Sequence, residues 1–146
     1  MDNKHLKVYV DGASRGNPGP ASYGVCIYNH LDRVVKEVYD CIGIQTNNVA
    51  EYHALIRGLE ESYLLGAEQV HVFTDSELIT KQFNGIYKVK HQKMFELLSQ
   101  VRLLVEKFQK VTVQHIPRSS HPGNQRADQL ANIALDKNRF LSQSKF

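Results

Sequence analysis

The sequence predicts an α/β fold in which α-helices flank a mixed β-sheet. Three observations lead there. Three strand-like segments come first, before any helical periodicity. The later strand-like segments are each reached through helix, a connection that suits parallel pairing. With 42% hydrophobic and 23% charged residues in 146, the chain has the make-up of one globular domain with a core.

Leu6, Val8 and Val10 alternate along residues 6–11, a strand that runs straight into Asp11 and then into the glycine- and proline-rich "GASRGNPGPASYG". Residues 21–29 and 33–42 read as two more strands joined at "NHLDR", so the first three strands are expected to be antiparallel. The period changes at "QTNNVAEYHALIRGLEESYLLGA". There Thr46 or Asn47 can cap a helix, Val49, Tyr52, Ile56, Leu59 and Tyr63 recur at helical spacing, and Gly66 stops it. "QVHVFTDS" is a short buried strand ending on Asp75, with Ser76 placed to cap the helix "SELITKQFN", which Gly85 ends. A basic connector, "IYKVKHQK", leads to the helix "MFELLSQVRLLVEKF", with an expected stripe of Phe95, Leu98, Arg102 and Val105. "KVTVQHIP" is a strand halted by Pro117, and "GNQRADQLANIALDK" a last helix. The expected organisation is one domain over residues 1–137, with 138–146 as a fraying tail.

The net charge of +3 is compatible with an anionic partner without identifying one. No apolar run approaches the roughly 18 residues of a membrane span, and "MDNKHLK" lacks the apolar region of a secretory signal, so a cytoplasmic protein with no membrane contact is expected. Cys26 and Cys41 lie in expected strands without metal-ligand spacing and read as small buried hydrophobes.

Four acids stand out by position. Asp11 and Asp75 end two strands whose final residues, if the strands are parallel neighbours, lie about 5 Å apart. Glu51 lies in the first turn or two of its helix among apolar residues, and Asp128 is expected in the first turn of the last helix beside alanines and leucines. Singly, each has an ordinary explanation as a turn former or as an acid favouring a helix N-terminus. Together, at ends that one sheet can gather, they form a hard oxygen-donor set suited to Mg²⁺ or Mn²⁺ rather than zinc. Carboxylates around two such ions make a site for in-line phosphoryl chemistry.

With "VYVDGASRGNPGPASYG", "TNNVAEYHALIRGLE", "VFTDSELITKQFNG" and "HIPRSSHPGNQRADQLAN" in this order, the chain resembles a type 1 ribonuclease H over most of residues 6–135. The resemblance implies the ribonuclease H-like fold, a five-stranded mixed sheet flanked by helices. It implies endonucleolytic hydrolysis of the RNA strand of RNA–DNA hybrids with two Mg²⁺ or Mn²⁺ ions, leaving 5′-phosphate and 3′-hydroxyl ends. Asp11 would then bridge both ions, Glu51 and Asp75 would join it on one, and Asp128 would complete the other. The glycines of the first loop would let a nucleic-acid backbone come close. Asn17, Asn47 and Asn48 resemble the family's minor-groove contacts, where amides match the 2′-hydroxyls of RNA, and Thr46 resembles a contact to a DNA phosphate. Double-stranded RNA is a second candidate duplex, and a monomer is expected.

Two departures mark this sequence. It has no Trp, and the short "NGIYKVKHQK" leaves no room for the basic protrusion of many bacterial members, so a short form is expected, with Lys88 and Lys90 as auxiliary phosphate contacts. Ten residues before Asp128, where such members carry a mobile His, stands Arg118, which can hold a phosphate but cannot act as a base; His121 is the nearest imidazole. Glu77, directly after "DS", would add negative charge beside the metals unless it points outward. The competing readings are a hybrid- or double-stranded-RNA-binding module that does not cut, and a related nuclease of the same superfamily, since fold alone does not fix the reaction.

Overall fold

A computed structural model describes residues 3–144, with side chains to residue 138. The chain runs β1 (His5–Ser14), β2 (Gly19–Asn29), β3 (Val34–Gln45), α1 (Asn47–Leu64), β4 (Gln69–Thr74), α2 (Glu77–Phe83), α3 (Gln92–Val105), β5 (Lys110–His115) and α4 (Pro122–Ser144). The five strands form one sheet in the order β3-β2-β1-β4-β5, antiparallel across β1–β2 and β2–β3 and parallel across β1–β4 and β4–β5. The mixed sheet expected from the element order is the one observed. Of the tail expected to fray, residues 138–144 fall within α4, and 145–146 lie outside the described residues.

Strand alternation sorts side chains to two faces. Leu6, Val8 and Val10 of β1, Val25 and Ile27 of β2, and Val70 and Val72 of β4 form the larger core with Tyr52, Leu55 and Leu59 of α1 and Leu97 and Val101 of α3. On the other face Tyr9 and Cys26 pack against Ala127 and Leu130 of α4, which lies across β1, β2 and β3.

The caps fall where the residues suggest. Thr46 accepts from the Val49 N–H and Ser76 from the Ile79 N–H, each satisfying a first-turn donor. Between β2 and β3, Asn29 Oδ1 accepts from the N–H groups of Leu31 and Arg33 and closes the turn. Two helix faces differ from the sequence reading. Tyr63 is 49% exposed and Phe95 55%, while Leu97 and Val101 are the residues α3 buries. Arg102 of the expected stripe ties helices together instead: its guanidinium donates to the Phe83 carbonyl at 2.8 Å and lies over that ring, closing the C-terminal end of α2. Leu97→Ala should cost about 2–4 kcal/mol by emptying a fully packed site. Urea denaturation measures it, and a loss under about 1 kcal/mol would contradict this packing.

Candidate active site

The parallel ladder between β1 and β4 stops at the pair Tyr9–Phe73, whereas β1 stays paired with β2 as far as Ser14. The sheet forks there. Asp11 and Asp75 each lie two residues beyond the last pair, one on either lip. Asp11 is therefore not at a strand end, as the sequence suggested, but inside β1 where only one neighbour remains.

Glu51 reaches the fork because Gly12 lets α1 in. A Cβ on Gly12 would lie 2.3 Å from Ala50 C and Glu51 N, a space already filled by helix backbone. The Gly12 N–H donates to Glu51 Oε1 at 2.5 Å, and Thr74 Oγ1 donates to Oε2 at 3.4 Å. Gly24, paired with Asp11 across the β1–β2 ladder, does the same for α4: a Cβ there would lie 2.1 Å from the Ala127 carbonyl oxygen. These two glycines admit helices, and with them Glu51 and Asp128. The expectation that the glycines beside Asp11 leave space for a nucleic-acid backbone is corrected at Gly12, where the helix fills it.

Ligand oxygens of Asp11, Glu51 and Asp75 all lie within 4.8 Å of one another. Asp128 is outside that group but lines the same cleft of about 490 Å³. Asp11 and Glu51 are buried, and both carboxyls are held well above the usual range. For Asp11 the main cause is burial, followed by the charges of Glu51 and Asp75. For Glu51 it is again burial, partly offset by the Gly12 N–H. An oxygen-only set that resists ionisation in this way fits a hard divalent cation, whose charge would relieve the repulsion. No His or Cys joins it among the described residues.

The other expected site residues fall into four places. Asn47 and Arg118 line the acidic cleft. Asn17, Thr46 and Asn48 line a recess of about 210 Å³ with His91 and Met94, where Asn17 Oδ1 accepts from the Asn47 N–H at 3.0 Å and ties loop to helix. His121 lies elsewhere, stacked on Tyr9 with ring centroids 4.5 Å apart and its Nδ1 accepting from the Gly123 N–H. Lys88 and Lys90 are on the exposed connector 84–91, neither lining the acidic cleft. Glu77 turns away into an exposed pair with Lys81, so it adds no charge among the acids.

Sequence reasoning passed over three residues here. Arg15 and Asn132 also line the cleft, and Asn132 follows Asp128 by four, one turn along the same helix face. Asn124, 2% exposed, accepts from the Ser119 N–H, while Gln125 donates to the Ser119 carbonyl, so α4 clamps the loop that carries Arg118. Helical spacing from Asp128 would have found Asn132; nothing in the string marks Arg15.

Strand order, fork and acidic cleft together define a protein of the ribonuclease H-like fold. A family profile described as "Reverse transcriptase-like" matches residues 9–134. A bifunctional protein of Mycobacterium tuberculosis, Rv2228c, is 42% identical over 134 residues, which are 90% of this chain and 36% of that protein. The crystal structure of RNase H1 from Halobacterium salinarum superposes with a TM-score of 0.87 at 39% identity, covering 91% of this chain and 98% of that one. LC11-RNase H1, solved in complex with an RNA/DNA hybrid, gives 0.85 at 40% identity, covering 91% and 98%. The chain thus spans about a third of the curated mycobacterial relatives, and 64% of the curated ribonuclease HI of H. salinarum. The chain belongs to the type 1 ribonuclease H family, which is a family of enzymes. Within it, this is a short form in which residues 84–91 alone join α2 to α3.

Proposed function

We propose that this protein hydrolyses the RNA strand of RNA–DNA hybrids endonucleolytically, with two Mg²⁺ or Mn²⁺ ions, leaving 5′-phosphate and 3′-hydroxyl ends. The observation that carries this reading is the meeting of Asp11, Glu51 and Asp75 within 4.8 Å on the wall of a cleft that Asp128 shares. Asp11, Glu51, Asp75 and Asp128 would hold the ions. Bound there, the ions would supply an activated water and charge stabilisation for the leaving oxygen.

The chain's own groups do the remainder. Arg118, on the cleft and held by the loop clamp, grips a phosphate. His121, packed on Tyr9, is a structural residue in this reading. Asn47 in the cleft, with Asn17 and Asn48 in the recess, offers amides to 2′-hydroxyls along the minor groove. Thr46 meets a phosphate of the DNA strand while capping α1. Residues 1–137, which hold all four acids, act as the catalytic domain.

Matched RNA–DNA, RNA–RNA and DNA–DNA duplexes, each with magnesium, manganese or chelator, test the reading. Hybrid should be cut with either metal, chelator should stop it, and the RNA–RNA arm decides whether that duplex is also a substrate. Hybrid left intact under both metals would sink the proposal. Arg118→Ala should lower kcat on the order of a hundredfold, as loss of a charged transition-state contact does. His121→Ala should leave kcat within about twofold and instead lower Tm. Steady-state kinetics and thermal melts separate the two.

A further inference from the structure

Arg15 lies in the β1–β2 loop, four residues past Asp11, at most about 13 Å of backbone away. It lines the acidic cleft, yet its charge is turned outward: Nη2 donates to Asp136 Oδ1 at 2.6 Å and stands 3.5 Å from Asn132 Oδ1. Both ends of the pair are open to solvent, the side chains being 40% and 68% exposed, and exposed pairs of this kind hold weakly. Asn132 links this guanidinium to the fourth acid: its Nδ2 donates to the Asp128 carbonyl at 3.0 Å and stands 3.5 Å from Asp128 Oδ1. Arg118, the other arginine on the cleft, makes no ion pair or hydrogen bond among the described residues. The cleft therefore has one cation ready and one parked.

We propose that Arg15 is a hand-over contact. In the free protein it rests on Asp136, and when hybrid fills the cleft it passes to an RNA-strand phosphate near the reacting one, so that Asp136 competes with substrate. A guanidinium suits the exchange because its planar fork fits carboxylate and phosphate alike. This deepens the reading of the cleft as a hybrid-cleaving site and rests on it. The structural alternative is a latch, in which the pair merely pins the loop to α4.

The two make opposite predictions for Asp136. Hybrid affinity is measured by fluorescence anisotropy with magnesium over a series of salt concentrations, in an Asp11→Asn background where the hybrid stays whole. Under hand-over, Arg15→Ala weakens binding roughly 5- to 10-fold and makes the salt dependence shallower by about one phosphate contact. Asp136→Asn tightens binding about 2- to 5-fold, by freeing the cation. That gain shrinks toward none in the double variant. Arg15→Gln, which keeps a donor for Asn132 without the charge, should behave like Arg15→Ala and guards against a loop that the smaller side chain loosens. With Asp11 restored, Arg15→Ala should raise KM by a similar factor while kcat stays within about twofold.

If Asp136→Asn weakens binding as Arg15→Ala does, the pair is a latch and the inference falls. It falls too if Arg15→Ala leaves affinity and salt slope unchanged, or if the Asp136→Asn gain persists in full without Arg15. An unmutated chain that neither binds nor cuts hybrid would overturn the hydrolase reading itself, which sets that failure apart.

Discussion

Asp11→Asn should abolish hybrid cleavage, by a factor of at least about 1,000, and at the same time make the metal-free protein more stable at pH 8. The first effect follows from removing the central oxygen donor of the cluster. The second follows from its burial beside Glu51 and Asp75, which holds the Asp11 carboxyl far above an ordinary carboxylate. A carboxyl whose folded pKa is raised binds its proton more tightly in the folded state than in the unfolded chain. Stability from this source is therefore full below about pH 4, where both states are protonated, and is lost as pH rises toward the raised value. Asn keeps the shape without that liability. The Tm difference between variant and wild type in chelator should be near zero around pH 4 and grow with pH. At pH 8 it should reach about 4–8 °C, equivalent to roughly 2 kcal/mol in a domain of this size. Saturating Mg²⁺ should shrink or reverse it, since ions held by the intact cluster stabilise only the wild type. A variant that melts earlier than wild type at pH 8 in chelator would show that these carboxylates do not strain the fold.

Gly12→Ala should damage both stability and activity, although it adds only one methyl group to the wall of the cleft. The new Cβ would lie 2.3 Å from backbone atoms of Ala50 and Glu51, so α1 would have to move back rather than a side chain turn aside. Overpacking of this kind costs about 1–3 kcal/mol or more. The movement draws Glu51 away from Asp11 and breaks its bond from the Gly12 N–H. A shift near 1 Å at a reacting centre costs on the order of a hundredfold in rate. Urea denaturation and kcat under saturating metal give the two readouts. Normal kcat with only a lowered Tm would mean that the helix can retreat without carrying its acid along.

The mixed sheet and the gathering of acids at its strand ends were legible because they depend on local periodicity and on the rule that helical crossovers join parallel strands. Asp11, Glu51 and Asp75 could be chosen from the string because each breaks a pattern: an acid ending an apolar run, or an acid set among alanines. The helix faces were less legible. Leu97 and Phe95 are both apolar and two residues apart, and only the packing of α3 against α1 decides that Leu97 goes in. The glycines show a similar limit. Their abundance around Asp11 signals close approach, but a sequence does not say whether a helix or a ligand comes close, and at Gly12 it is a helix. Arg15 was beyond reach for a related reason, since its partner is 121 positions away and neither residue breaks a local pattern.

The connector 84–91 leaves two anchored helix ends behind it, one fastened through Arg102 to the Phe83 carbonyl. It meets none of the four acids, so its length is a free variable of the architecture. A longer, basic segment spliced between Asn84 and His91 would add reach over a duplex and leave the cutting centre as built. The connector and the acidic cleft are thus separate parts of the architecture, open to independent change.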